Sequence, residues 1–439
     1  MSEKRYRYKR IFRILCALLT VAMLLCGCRD RDGDGGDDPS DDPSTQYDLM
    51  ADISPKPIPE KKADEAFEEA YLAFSSGVFS TVCKNNSGNT AVSPAALMQS
   101  LLIAANGSNG KTQNEILSAI APLTSVRDLS SYSATFTTEL ERDPKTRITA
   151  STWINGVGNV FRANKSFLQI NSDYFLSDVY LVEVPTETPE THVSKWLLEK
   201  IGVSGFDGIA FLDSKSSVGF VGGFSGEYSF ASGFGGSERG EFKGQNGTVE
   251  TEFVSTTATS HIKIGYAVGF SIRLANGYTF AALLPQSGLT CDKIAAELTP
   301  KRIRECYLSA ELSSINVTMP VFSCSTAPEL SAELGALGIK TLFDTENADI
   351  SGFGTSKNKL SVSSVYSPIS ISFNANGISF SANEPEAPET SVDKSELNAG
   401  NLEFNRPFVY ILYDTDGYPL VMGKITDVAA IPPASGETE

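Results

Sequence analysis

The chain has 439 residues, 36 basic and 53 acidic, for a formal charge of −17. Hydrophobic residues make up 41% and charged residues 20%, enough apolar content to bury the core of one large domain or two ordinary ones. The acidic balance excludes nucleic-acid binding, which relies on clustered Lys and Arg, and two distant histidines, His192 and His261, exclude a His-rich metal site. G-x-S-x-G, H-E-x-x-H and G-x-x-x-x-G-K-[ST] are all missing. The expectation is a protein with no metal, no cofactor and no enzymatic chemistry of its own.

Residues 1–27 read as a signal peptide. Lys4, Arg5, Arg7, Lys9, Arg10 and Arg13 form a basic start, and Ile14 to Leu25 is a twelve-residue apolar run broken only by Thr20. That run is short for a membrane span and suits a signal core. It ends in Leu25-Cys26-Gly27-Cys28, which resembles a bacterial lipobox. The resemblance implies cleavage before Cys28, a diacylglycerol on its thiol, and extracytoplasmic anchoring to the bacterial cell envelope by acyl chains alone. Plain secretion is the alternative.

Removing residues 1–27 leaves 30 basic and 52 acidic residues, a net of −22. Residues 28–60 read as a disordered acidic tether, since Arg29 to Asp48 holds eight Asp, two Pro and no aliphatic side chain. Asp30, Asp32, Asp34 and Gly35, with Asp41 twelfth, copy the start of a calcium loop. With no flanking helices to hold it, the segment reads as a solvated spacer.

The folded domain is expected over 61–430, with a tail at 431–439. Phe67, Ala70, Tyr71, Phe74, Val78 and Val82 mark a helix with one buried stripe. Asn89 to Val92 reads as a short strand. Ser93-Pro94 then opens a second helix with Leu97, Leu101 and Ala105 inward, closed by Asn106-Gly107. Thr112 and Glu115 form a capping box for a third. Strands are expected at Ile148–Ile154, Val218–Phe224, Ile262–Val268, Tyr278–Leu284, Ile315–Met319 and Val409–Tyr413. Helices are expected around Trp196-Leu197, from Thr299-Pro300, and from Pro328 to Gly338. Twelve glycines between Gly205 and Gly247 weaken any strand there.

Four blocks carry a family resemblance. They are Phe404-Asn405-Arg406-Pro407-Phe408 with Leu420 to Ile425 following; Asn89 to Pro94 with Gly107, Gly110, Thr112 and Glu115-Ile116; Ala348-Asp349-Ile350-Ser351-Gly352; and Leu283-Leu284-Pro285. In this order and spacing they resemble the serpins, over about 65 to 428. The resemblance implies an α+β fold of three β-sheets with eight or nine helices and an exposed reactive loop before Phe404. It further implies a monomer that inhibits extracellular serine or cysteine proteases as a suicide substrate. A protease cuts the loop, and the freed segment inserts as a strand into the central sheet, releasing stored strain.

On that resemblance the strand Ser367 to Asn376 leads into a hinge at Gly377, Ile378, Ser379, Phe380 and Ala382. Alternation sends Ile378, Phe380 and Ala382 inward. Phe380 is bulky for a family hinge, Glu384 and Glu386 would follow it inward at a cost of several kcal/mol if unpaired, and Pro385 and Pro388 lack ladder donors. These features suit the alternative of a non-inhibitory binding protein. Ser93 keeps the family's shutter serine, whereas the shutter histidine falls on Ser367, its asparagine partner on Phe220, and the breach tryptophan on Tyr228. Gly377 to Phe408 is 31 residues, about five longer than the family's usual loop. The scissile bond is expected among Lys394, Ser395, Glu396 and Leu397, with Lys394 suiting a trypsin-like target. Cys83, Cys291, Cys306 and Cys324 allow three disulfide connectivities, of which Cys291 with Cys306 is the pair to test, and Cys83 suits a buried thiol. Trp153 and Trp196 read as core.

Overall fold

Nine α-helices form among the described residues, and the first two show what shapes the rest. In α1 (Glu65–Asn85), Asp64 caps the first turn by accepting from the Phe67 amide at 2.9 Å, and Phe67, Tyr71, Phe74, Val78 and Val82 are buried. In α2 (Pro94–Asn106), the Ser93 hydroxyl accepts from the Ala96 amide at 3.3 Å. The sequence pattern predicts one inner face for α2, but every residue from Pro94 to Ala105 is buried. This helix runs beneath the central sheet and is enclosed on all sides, which its Ala- and Leu-rich sequence permits. The others are α3 (Gly110–Ile120), α4 (Val126–Leu140), α5 (Lys165–Ile170), α6 (Pro189–Ile201), α7 (Cys291–Glu297), α8 (Pro300–Leu308) and α9 (Ser331–Ala336). The capping box expected at α3 is not formed. Glu115 instead accepts from the amides of Lys340 and Thr341, and Thr112 Oγ1 accepts from the Asp349 amide at 3.0 Å, so both pin a distant segment.

The computed structural model describes residues 47–155, 161–182, 189–203, 212, 217–258, 260–308, 314–394 and 400–431. The expected signal peptide, Cys28 and the acidic run to 46 lie outside them. The described residues begin at Tyr47, ahead of the boundary expected at 61. Tyr47 and Asp48 pair with Leu181 and Tyr180, and Leu49, Met50 and Ile53 pack on the core, so the end of the expected tether lies on the body.

The central sheet runs in the order Tyr47–Asp48, Asp178–Val182, Arg147–Asn155, Ser217–Ser225, Ser361–Tyr366. Its last two strands pair in parallel from Ser217 and Ser361 to Val221 and Tyr366. Beyond that point they part, continuing as Glu227–Ser229 and Ile369–Phe373, with a short strand, Gly377–Ser379, between them. A six-stranded sheet holds His261–Ile264, Ala267–Arg273, Thr279–Pro285, Phe408–Tyr413, Pro419–Ile425 and Thr90–Val92. The run expected as one strand at Ile262–Val268 is thus two, turning between Ile264 and Ala267. A third sheet carries Ser391–Val392, Gly233–Gly244, Gly247–Ala258, Ile315–Pro320 and Gly400–Glu403. Three main sheets and nine helices give the expected α+β architecture.

The glycine-rich stretch does form strands. Gly222 shows why glycine serves there: a Cβ would sit 2.6 Å from the Ala96 carbonyl of α2. On the opposite face of the sheet, α6 buries Trp196, Leu197 and Ile201 against Trp153, Tyr180 and Val221. Both tryptophans are core residues, and the Trp196 indole donates to Asp178 at 2.8 Å.

Candidate functional site: the hinge strand and the docked loop

Ile369, Ile371 and Phe373 face the core at 1% exposure each, so alternation fixes the inner face of this half of the sheet. After Phe373 the chain turns through Asn374, whose side chain accepts from the amides of Asn376 and Gly377. It returns as Gly377–Ser379, antiparallel to both neighbours: Ile378 lies opposite Phe373 on one side and Tyr228 on the other. The Phe380 amide extends the ladder by donating to Gly226 O at 2.7 Å. Gly377 is required by close approach, since a Cβ would lie 2.1 Å from the Tyr228 carbonyl oxygen.

Ile378 and Phe380 are fully buried. The Phe380 ring packs edge-on to Phe224 at 5.5 Å and lies 6.4 Å from Tyr228. Its bulk, out of place in a family hinge, fills the space where the two strands part. Ala382, expected inward, is exposed. The chain leaves the sheet after Phe380, and the Ala382 amide donates to Gly202 O at 3.0 Å, just beyond α6.

The positions flagged for the shutter lie below this point. Ser93 is buried as the cap of α2. Ser367 is buried and its hydroxyl finds no hydrogen-bond partner among the described residues. Phe220 pairs in register with Val365, and its ring lies 6.0 Å from Phe353. Continuing the register past Tyr366 and Val221 sets Ser367 opposite Gly222. Phe220 itself pairs with Val365, two residues before Ser367. Tyr228 is buried at the breach, sharing a 2.8 Å hydrogen bond with Thr146 Oγ1. Burial holds its hydroxyl well above the usual tyrosine range.

The loop before Phe404 is exposed as expected, at every described residue from Ala382 to Lys394 except Pro385 and Pro388, and its backbone is also tied to the body. Ser229 Oγ donates to Glu386 O at 2.7 Å, the Gly233 amide donates to Thr390 O at 2.8 Å, and Ser391–Val392 runs parallel to Gly233–Phe234. Thr257 Oγ1 donates to Asp393 O at 3.1 Å. Lys394 pairs with Glu238 at 3.2 Å and stays about half exposed. Ser395, Glu396 and Leu397 lie outside the described residues. No sequence signal marks the docking, which uses backbone and hydroxyl groups far apart in the chain together with the ion pairs Lys394–Glu238 and Lys145–Glu386.

Beyond the loop, the Phe404 to Phe408 block joins two sheets. The Phe404 amide donates to Thr318 O at 2.9 Å, and Arg406 Nη2 donates to Pro285 O at 2.8 Å, so this block meets Leu283-Leu284-Pro285. Asn89 Oδ1 accepts from the amides of Thr426 and Asp427. Gly352 packs on Gly107 so closely that a Cβ on it would lie 2.8 Å from the Gly107 carbonyl oxygen. The four cysteines are free, and Cys291 is not bonded to Cys306. Burial pushes both thiols up to about 12.

The sequence model of the family described as "Serpin (serine protease inhibitor)" matches residues 69–428. The chain is similar to alpha-1-antiproteinase of Ovis aries, 33% identical over 138 residues, which is 31% of this chain and 30% of that protein. It is also similar to Serpin B11 of Mus musculus, 26% identical over 41% of this chain and 44% of that one. The matches thus span less than half the length of these curated relatives. Among solved structures, the thermophilic serpin Tengpin in its native state aligns with a TM-score of 0.78 and 23% identity, over 87% of this chain and all of that one. Thyroxine-binding globulin in complex with thyroxine aligns with a TM-score of 0.71 and 16% identity, over 82% of this chain and 99% of that one.

Proposed function

The chain belongs to the serpin family, and we propose that it inhibits extracellular serine or cysteine proteases as a suicide substrate. The observation that supports this reading is the hinge strand. Gly377–Ser379 already sits between Glu227–Ser229 and Ile369–Phe373, bonded on both sides, with Ile378 and Phe380 in the core. A loop cut beyond it would continue the same register downward.

Lys394–Ser395 is the proposed scissile bond. The protease nucleophile adds to the Lys394 carbonyl carbon, the amide C–N bond breaks, and the new amine at Ser395 takes a proton. The protease is left as an ester or thioester of Lys394. Insertion of residues 381–394 then displaces the attached protease before water can release it. Mixing the protein with a panel of trypsin-like, chymotrypsin-like and Glu-specific enzymes should give a covalent complex that survives a denaturing gel. Simple nicking by every enzyme would overturn inhibition.

A second reading, a non-inhibitory binding protein, is favoured by Pro385 and Pro388, which cannot donate to a central ladder. It requires that loop cleavage leave the melting temperature unchanged. On either reading the protein works outside the cytoplasm of a bacterium, as a monomer anchored through lipid on Cys28; C28S should release it from membranes.

A further inference from the structure

The hinge strand stops after Phe380, although nothing in its alternation requires it to stop there. Ile378 and Phe380 face the core, and Ala382 is small enough to follow. What changes is the partner of the outward-facing side chains. Ser379 lies opposite Glu227 on the outer face. The Glu227 carboxylate reaches past it, accepting from Ser381 Oγ at 3.0 Å and from Asn383 Nδ2 at 2.6 Å. A local turn takes over from the ladder at the same place: the Ser381 amide donates to Ser379 Oγ at 3.1 Å, and the Asn383 amide donates to Ser381 Oγ at 3.2 Å.

We propose that Glu227 is a latch, a positioning residue that holds the loop half inserted and sets the rate at which the rest enters the sheet. The geometry makes the latched and inserted states mutually exclusive. The pairs Gly377 with Ser229 and Ser379 with Glu227 define the register. Carried downward, it sets Ser381 against Ser225 and Asn383 against Gly223. Asn383 would then lie four residues along the strand from Glu227, about 13 Å away at 3.3 Å per residue. The Asn383 hydrogen bond to the carboxylate cannot survive that shift and must break before Asn383 enters, whereas Ser381, opposite Ser225, stays a diagonal neighbour of Glu227 on the same face. The Ala382 amide must leave Gly202 O in the same step.

The inference rests on the reading that the cut loop inserts, and the test separates the two. The protein and its variants E227A, E227Q and N383A are cleaved near Lys394. Insertion is followed as the growth of amide-exchange protection at 381–385 and the rise in melting temperature. Loss of one hydrogen bond to an ionised group should speed insertion roughly tenfold in N383A, and E227A, which also loses the Ser381 bond, should be at least as fast. E227Q, which keeps a neutral acceptor, should fall between. The double variant should be no faster than E227A alone, since Glu227 is the acceptor of the Asn383 bond. In uncut E227A the amides of Ala382 and Asn383 should exchange faster while that of Ser379 keeps its protection, which shows that the variant is folded. If wild type inserts and the variants match its rate, the latch is wrong and the inhibitory reading stands. If cut wild type stays out but E227A inserts, the latch stands and inhibition fails. If none inserts, both are wrong.

Discussion

Glu384→Gln should stabilise the loop-cleaved protein and leave the uncut protein unchanged. The register of the hinge strand reaches Glu384 three core positions after Ile378, opposite Gly222 on one side and Ser367 on the other. In the uncut chain Glu384 is exposed. On insertion its carboxylate would enter the core above α2, where a Cβ on Gly222 would already meet the Ala96 carbonyl and the Ser367 hydroxyl, without a partner among the described residues, is free to donate. An uncompensated buried charge costs roughly 3–5 kcal/mol, and one hydrogen bond to an ionised group recovers about 1.5 kcal/mol. The net cost is about 1.5–3.5 kcal/mol. At about 2.1 cal/mol/K per residue for a domain of this size, each kcal/mol moves the melting temperature by roughly 1 °C. Cleaved E384Q should therefore melt about 2–4 °C above cleaved wild type, read by circular dichroism at one scan rate. Ser367→Ala should lower the cleaved wild type and have little effect once Glu384 is Gln. Equal melting of the two cleaved forms, with insertion confirmed by exchange, would refute the register and with it the placement of Glu384.

Two further outcomes test other parts of the structure. Asp414 is buried and accepts from the amides of Asp416 and Tyr418, and burial raises its carboxyl from 3.8 to about 7 despite those bonds. A raised folded-state value favours the folded protein fully below about pH 4, and this contribution is lost as pH rises through 7. Asp414→Asn should flatten that slope and stabilise the protein at pH 8 by up to about 4 kcal/mol, at 1.36 kcal/mol per unit; denaturant midpoints at pH 5 and 8 that shift equally would count against it. Gly377→Val puts side-chain atoms into the Tyr228 carbonyl and the Ser229 backbone, so the hinge strand should leave the sheet, forfeiting roughly 1.5–3 kcal/mol for each of Ile378 and Phe380. The Phe380 amide should lose its exchange protection, and unchanged protection would show that the strand tolerates a side chain.

The fold was legible because its four sequence blocks are places where distant backbone segments meet. Arg406 against Pro285, Asn89 against Thr426 and Asp427, and Gly352 against Gly107 are contacts that few other residues satisfy. Local rules failed where tertiary contacts claim the same atoms. Thr112 and Glu115 match a capping box, but the 340–349 segment takes both side chains. Leu97, Leu101 and Ala105 mark one face of α2, yet enclosure buries every face.

The hinge divides along the same line. Alternation within Gly377 to Phe380 reads correctly because each residue answers to its own neighbours in the ladder. Ala382 departs from the pattern because its amide answers to Gly202 and its flanking side chains to Glu227, partners more than 150 residues away. Phe380 then changes meaning. Read alone, a bulky hinge residue argues against insertion. In the structure its ring occupies the cleft between the parted strands against Phe224, so it stabilises a half-inserted state without obstructing the residues behind it. The obstacle to further insertion lies at Glu227 and Glu384, one holding the loop outside and one resisting entry; alternation marks Glu384 in the sequence, but nothing in the sequence marks Glu227. Changing these two carboxylates should therefore alter insertion more than restoring a small residue at Phe380.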